Sequence, residues 1–180
     1  YAGTVFDMLI ERKITLLTKN EIEQTLKTEL SSSLSFVAYQ TQNQLENIGK
    51  VNWTKENGLP SIWLLGMFTP SESTIIIIPF KAEPDANQIN TNYFGEIPSD
   101  RLTIKDSVLF FTCDGKYRSK IGLPPSIAKP IAASFDFQKN ILTLVTFELD
   151  NQSEYVNSKW EIQKEPYNGD AVNAYNDGRL

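Results

Sequence analysis

Apolar residues in this chain fall in short runs, many of them alternating with polar ones, and clusters of Gly, Pro, Asn, Asp and Ser separate the runs. Turn residues recurring every 8 to 12 or so positions are the pattern of antiparallel strands. The densest apolar region runs from Trp53 to Phe80, where SIWLLGMF and TIIIIPF flank the polar turn Thr69-Pro70-Ser71-Glu72-Ser73. The simplest expectation is a β-hairpin. The run IIIIP has no alternation, which predicts strands covered on both faces. Burying each isoleucine would contribute about 1.5–3 kcal/mol, making this hairpin an anchor of the core.

The same reading extends along the chain. Segments GTVFDML and RKITLLT predict two short strands before Thr18. Asn20 then offers a helix N-cap with Glu23 three residues later, and Ile22, Leu26 and Leu30 recur on one helical face. Ser31 to Ser33 would end that helix, because serines compete for backbone hydrogen bonds. Leu34 to Asn47 alternates again as a strand. The stretch from Lys81 to Asp100 reads as a long polar excursion. RLTIKD and SVLFFTCD predict a hairpin across Asp106-Ser107. Residues 114–130 carry two glycines and three prolines and predict no regular element. ASFDFQKNILTLVTFEL predicts two strands around Gln138-Lys139-Asn140, YVNSKWEIQ one more, and EPYNGDAVNAYNDGRL an extended polar tail. The sum is an all-β, mainly antiparallel sandwich with one short helix near residues 20–30. No repeat or linker divides residues 1–180, so one β-sandwich domain, part of a larger one, is expected.

Composition narrows the chemistry. A net charge of -5 and scattered basic residues exclude a nucleic-acid interface, which needs clustered Lys and Arg. No apolar run is long enough for a membrane span. There is no His and a single cysteine, Cys113, so Ser-His-Asp, Cys-His and Cys-based zinc chemistry are absent from these residues. Cys113, after the run VLFFT, reads as a small packing residue. Proton transfer would fall to Asp, Glu, Lys or Tyr. No cofactor or metal is expected, since no metal-loop spacing occurs.

Four motifs in order, WTKENGLPSIWLLGMFTP, YFGEIPSDRL, GKYRSKIGLPPSIAKP and YVNSKWEIQKEPYNGDAVNAYNDG, resemble an uncharacterised bacterial family of galactose-mutarotase-like proteins. The resemblance runs from about Phe6 to Gly178. It implies part of a β-supersandwich, a carbohydrate ligand and a periplasmic or extracellular location. It also implies that the chain is a fragment lacking both ends of the family pattern. The activity so implied is sugar epimerisation by carboxylate acid–base chemistry. The alternatives are a non-catalytic structural or interaction domain, or an accessory domain of a polysaccharide-degrading enzyme.

Candidate residues follow from what a sugar needs: aromatic faces to stack on the ring, and charged or amide groups for its hydroxyls. Trp53, Lys55 and Glu56 stand before an apolar run, against the alternative of an edge turn, whereas Trp63 inside that run reads as core. Lys116, Tyr117 and Arg118, with Lys120, form a basic group around an aromatic that suits a carboxylate ligand, against a solvated basic turn. Trp160, Tyr175 and Asn176 supply further contacts in the tail. Glu56, Glu161 and Asp177 are the candidate acid and base groups for transfer at C1. A carboxylate pair also suits glycoside hydrolysis. Oligomeric state is not legible.

Overall fold

The computed structural model describes residues 3–81, 88–150, 152–157 and 164–177. Among them are nine strands and one helix, with every strand pairing antiparallel, so the chain is mainly β as its patterning predicts. Its contacts group into two compact units, residues 1–65 and 66–180. No helix among the described residues is long and apolar enough to cross a membrane.

In the first unit, strand β1 (Met8–Leu16) pairs with β2 (Tyr39–Asn47) over nine positions, from Met8 opposite Asn47 to Leu16 opposite Tyr39. One face of the ribbon carries Met8, Ile10, Ile14, Leu16, Tyr39 and Leu45. The other is largely polar, with Glu11, Lys13, Gln42 and Glu46. The two predicted N-terminal strands are thus one continuous strand. Helix α1 (Lys19–Leu26) follows, and its cap corrects the expected one by two residues. Thr18, in extended conformation, is the N-cap. Its backbone N–H donates to Glu21 Oε2 at 2.7 Å while the Glu21 N–H donates to Thr18 Oγ1 at 3.4 Å. Thr18 and Glu21 satisfy the capping-box spacing as well as Asn20 and Glu23 do, and Thr18 is placed directly at the strand end. The helix stops at Lys27, in the left-handed region with φ 53°, before the serine run that was expected to end it.

The predicted hairpin at Trp53–Phe80 does not form. Only Thr74–Pro79 is a strand, β3, and residues 59–71 have no regular structure. Both edges of β3 are taken by strands distant in sequence, β5 (Val108–Thr112) and β7 (Ile131–Asp136). The SIWLLGMF run therefore has no backbone groups of β3 left to pair with. Trp63, expected in the core, is 47% exposed, and Leu64, Leu65, Met67 and Phe68 are exposed beside it.

The second unit is a five-stranded sheet of order β4-β5-β3-β7-β8, with β4 at Leu102–Lys105 and β8 at Ile141–Thr146. β4 and β5 form the predicted hairpin. Asp106 and Ser107 both take positive φ, 49° and 60°, as a two-residue turn that follows the strand twist requires. Facing this sheet is a ribbon of β6 (Ser119–Leu123) and β9 (Val172–Asn176). Between them lies the core: Ile78, Leu109 and Phe111 from the sheet, Ile121, Leu123, Val172 and Ala174 from the ribbon, with Phe80, Ile89 and Ile127. Both ribbon strands correct the sequence reading. The segment expected to be irregular contains β6, buried throughout, and the expected polar tail contains β9 with alternating burial.

The IIIIP run is also not covered on both faces. Ile78 is fully buried and Ile76 packs against the core, while Ile75 and Ile77 lie on the opposite face. The register places Phe110, Phe135, Leu142 and Leu144 on that same outer face, where Phe110, Leu142 and Leu144 are exposed.

Candidate functional site

The inner side of the β6–β9 ribbon carries Ile121, Leu123, Val172 and Ala174 into the core, so strand alternation turns Lys120, Gly122, Asn173 and Tyr175 to the other side. Lys120 is opposite Tyr175 in the register. The segment after Ile89 crosses this outer side, held by two backbone bonds of 2.8 Å between Asn90 and Gly122. It delivers Tyr93, whose hydroxyl donates to Asp170 Oδ2. Asn90 Nδ2 donates to the same oxygen at 3.3 Å. Gly122 is required here, because a Cβ would collide with the Asp170 carboxylate.

Lys120 is the centre of this cluster. Its Nζ lies 3.8 Å from the centre of the Tyr93 ring and 4.8 Å from that of Tyr175, an arrangement in which the ring faces stabilise a cation. The side chain is buried, with only 2% of the residue exposed. Burial pushes the ammonium down to about 8, and nearby Asp170 opposes that shift. Just before the strand, Arg118 stacks over Phe94 at 4.4 Å, and its Nε lies 3.6 Å from Asp177 Oδ1. Cations at 118 and 120 thus alternate with rings from Phe94, Tyr93 and Tyr175, and carboxylates stand at both ends of the row.

At the base of the row the polar groups are structural. Asp114 takes both guanidinium nitrogens of Arg101 at 3.0 Å, the Lys116 N–H at 3.0 Å and Asn176 Nδ2 at 3.2 Å. Asn176 Oδ1 accepts from the Gly115 N–H at 2.7 Å, so both ends of its buried amide are used inside the protein. Asn176 is therefore a post under the turn at 113–116, not a group that faces solvent. Tyr117 Oη donates to the Glu96 carbonyl at 2.8 Å, with Arg101 over its ring, and Lys116 pairs with Glu72 at 2.9 Å in the open. Cys113 Sγ donates to the Tyr175 carbonyl, and burial raises its thiol to about 11. It is an unreactive packing residue, as its place in the sequence predicts.

The structure brings Lys116, Tyr117, Arg118, Tyr175, Asn176 and Asp177 to this one ribbon and the turn that precedes it. Trp53, Lys55 and Glu56 belong to the other unit. They sit in a tight loop where the Gly58 N–H donates to the Thr54 carbonyl at 2.7 Å and the Asn57 N–H to Thr54 Oγ1. Glu56 is exposed, and hydrogen bonds from its own N–H and from Thr54 hold its carboxyl below the usual range. The Trp53 indole N–H is buried without a partner. The same unit has a hollow of about 380 Å³ between residues 5–7 and 48–51. Trp160 and Glu161 lie outside the described residues. Sequence reading did not single out Tyr93, Phe94, Asn90 or Asp170. The adjacent aromatics in the polar excursion were the available signal. Among the described residues no group of three or more acidic or Cys side chains is placed to hold a metal ion.

Residues 1–180 match a family described as a family of unknown function, DUF6786, and the chain belongs to that family. No curated protein and no solved structure matches it.

Proposed function

We propose that this member of the family binds carbohydrate on the outer side of the β6–β9 ribbon, without catalysis by the described residues. The observation that carries the reading is the row in which Phe94, Arg118, Tyr93, Lys120 and Tyr175 alternate rings with cations, flanked by the carboxylates of Asp170 and Asp177. Rings that stack on a sugar face, beside donors and acceptors for its hydroxyls, are the combination that saccharide recognition needs. Arg118 and Asp177 are the groups a ligand meets first, since both are half or more exposed. Lys120, enclosed by two tyrosines, holds the row in shape. Glu56 belongs to the other unit and is not part of this row. The test is a glycan array followed by calorimetry on hits, with Arg118→Ala and Tyr175→Ala. Binding weakened at least tenfold by either substitution supports the reading. No binding to any glycan, or binding indifferent to both substitutions, overturns it.

A second reading, a non-catalytic interaction domain, draws on a different observation. The cations of the ribbon already have acidic or aromatic partners inside the protein, while the outer face of the five-stranded sheet is apolar and open. A resemblance to galactose-mutarotase-like sandwiches would favour the first reading over this one. Unchanged glycan arrays together with a stable protein partner would favour the second.

A further inference from the structure

Arg101 and Arg118 use their guanidinium groups differently. Arg101 gives both terminal nitrogens to the Asp114 carboxylate through parallel bonds of 3.0 Å, so its fork is filled. Arg118 is held by two contacts that leave its fork alone. Its guanidinium carbon lies over the Phe94 ring, 4.4 Å from the centre, and its Nε lies 3.6 Å from Asp177 Oδ1, a charge contact longer than a hydrogen bond. Among the described residues no hydrogen bond engages its Nη1 or Nη2. The side chain is half exposed, and Phe94 beneath it is exposed as well. The neighbouring cations are engaged elsewhere: Lys116 pairs with Glu72 at 2.9 Å, and Lys120 is enclosed by the Tyr93 and Tyr175 rings.

We propose that Arg118 reads a carboxylate, so that the saccharide bound on this ribbon is a uronic acid and not a neutral sugar; the inference rests on the carbohydrate reading above and specifies its ligand. A guanidinium holds a planar carboxylate through two parallel N–H donors, as Arg101 holds Asp114 in this same unit. Asp177 does not fill that role at Arg118. Its contact is through Nε, which leaves the two terminal nitrogens as donors. A ligand carboxylate on those nitrogens is close to Arg118 and farther from Asp177. Attraction over the shorter distance then exceeds repulsion over the longer one, which salt also screens more. The Phe94 ring restricts the side chain before any ligand arrives, so less freedom is lost on binding. A uronic acid carries its carboxylate on the ring that Tyr175 would cover, which joins both kinds of contact in one sugar. The hydroxymethyl group of a neutral hexose accepts only ordinary, uncharged hydrogen bonds from the same donors.

A glycan array that includes oligogalacturonate and oligoglucuronate tests the assignment, followed by calorimetry of each acidic hit against the same chain after carboxyl reduction, which makes it neutral without changing its linkages. The expected result is an acidic chain bound about tenfold or more tighter than its reduced form. That preference should be lost in Arg118→Lys, which keeps the charge and removes the fork. Phe94→Leu, which keeps the fork and removes its stacking platform, should lower the preference about threefold or more, and it decides the matter if Arg118→Lys fails to fold. Array hits confined to neutral chains, acidic and reduced chains bound equally, or a preference that survives these substitutions overturns the assignment and leaves the carbohydrate reading standing. No binding to any glycan, acidic or neutral, overturns both.

Discussion

Removing the carboxylate of Asp114 should be among the most damaging single changes in the second unit. Asp114 and Arg101 are largely buried, with side-chain exposures of 9% and 17%, and they meet through two parallel bonds of 3.0 Å. Asp114→Ala leaves the guanidinium enclosed without its counter-charge and also strands the Lys116 N–H and the Asn176 amide. Breaking one side of a buried pair costs roughly 3–5 kcal/mol, a large part of the 5–15 kcal/mol that holds a typical domain. Urea unfolding followed by near-ultraviolet circular dichroism should show a midpoint lowered by about 1 M or more, taking a slope of about 1–3 kcal/mol/M. Replacing both partners together, Arg101→Met with Asp114→Leu, should recover much of the loss, because no charge is then left unpaired. The pH dependence has a definite sign. Arg101 and the surrounding hydrogen bonds hold the Asp114 carboxyl far below its ordinary range. Its contribution is therefore complete above the unfolded value near pH 4 and declines as pH falls below that. The gap between the native protein and Asp114→Ala should narrow in acid. A loss below about 1 kcal/mol, the size of an exposed ion pair, or a gap that widens in acid, would refute the reasoning.

Lys120 should give a slope of the same sign in an alkaline window. Its folded value of about 8 lies below the unfolded value, so between the two the unfolded chain holds the extra proton and stability rises with pH. Thermal unfolding scanned from about pH 7.5 to 10 should show the difference in stability between the native protein and Lys120→Met moving in the native protein's favour as pH rises, the buried Cys113 thiol adding an opposing slope common to both; a difference that does not change with pH would count against the assignment. Gly122→Ala should cost on the order of 2 kcal/mol or more through its collision with Asp170, and Asp170→Gly in the same chain should relieve it, as measured by denaturant midpoints. Changing Asp106-Ser107 to Asn-Gly should stabilise the β4–β5 hairpin by about 0.5–1 kcal/mol, since both positions have positive φ. No gain in melting temperature would mean that the turn tolerates its present residues without strain.

What the sequence made legible is what local spacing controls. The β4–β5 hairpin, the strand pair around Gln138–Asn140 and the position of the helix to within two residues all follow from patterns a few residues long. The misreadings have long-range causes. β3 looked like half of a hairpin with its neighbour because nothing in TIIIIP reveals that its partners are at Val108–Thr112 and Ile131–Asp136. β6 was hidden by Lys120 and Gly122, which look like loop residues until Asp170, Tyr93 and Tyr175 are placed around them. β9 was hidden because Asn176, a buried amide, occupies a position where an apolar residue would have completed the alternation. The basic cluster at 116–120 was visible as composition. The link from Tyr93 to Asp170 spans 77 positions and was not.

The energetics of the second unit separate its polar and apolar surfaces. Inside it, charged groups are consumed: Arg101 by Asp114, Asp136 by Ser71 and Lys139, and the Lys120 ammonium by two tyrosine rings. Such groups cost stability if left alone, so their pairing explains the fold before it explains any ligand. Lys116, Arg118 and Asp177 bring charge with wide exposure to one end of the ribbon. Among the described residues the open apolar area lies instead on the far face of the five-stranded sheet. Soluble monomers seldom leave such an area uncovered. The saccharide site proposed on the ribbon and the apolar face of the sheet lie on opposite sides of the core, so Arg118→Ala should leave that apolar face unchanged.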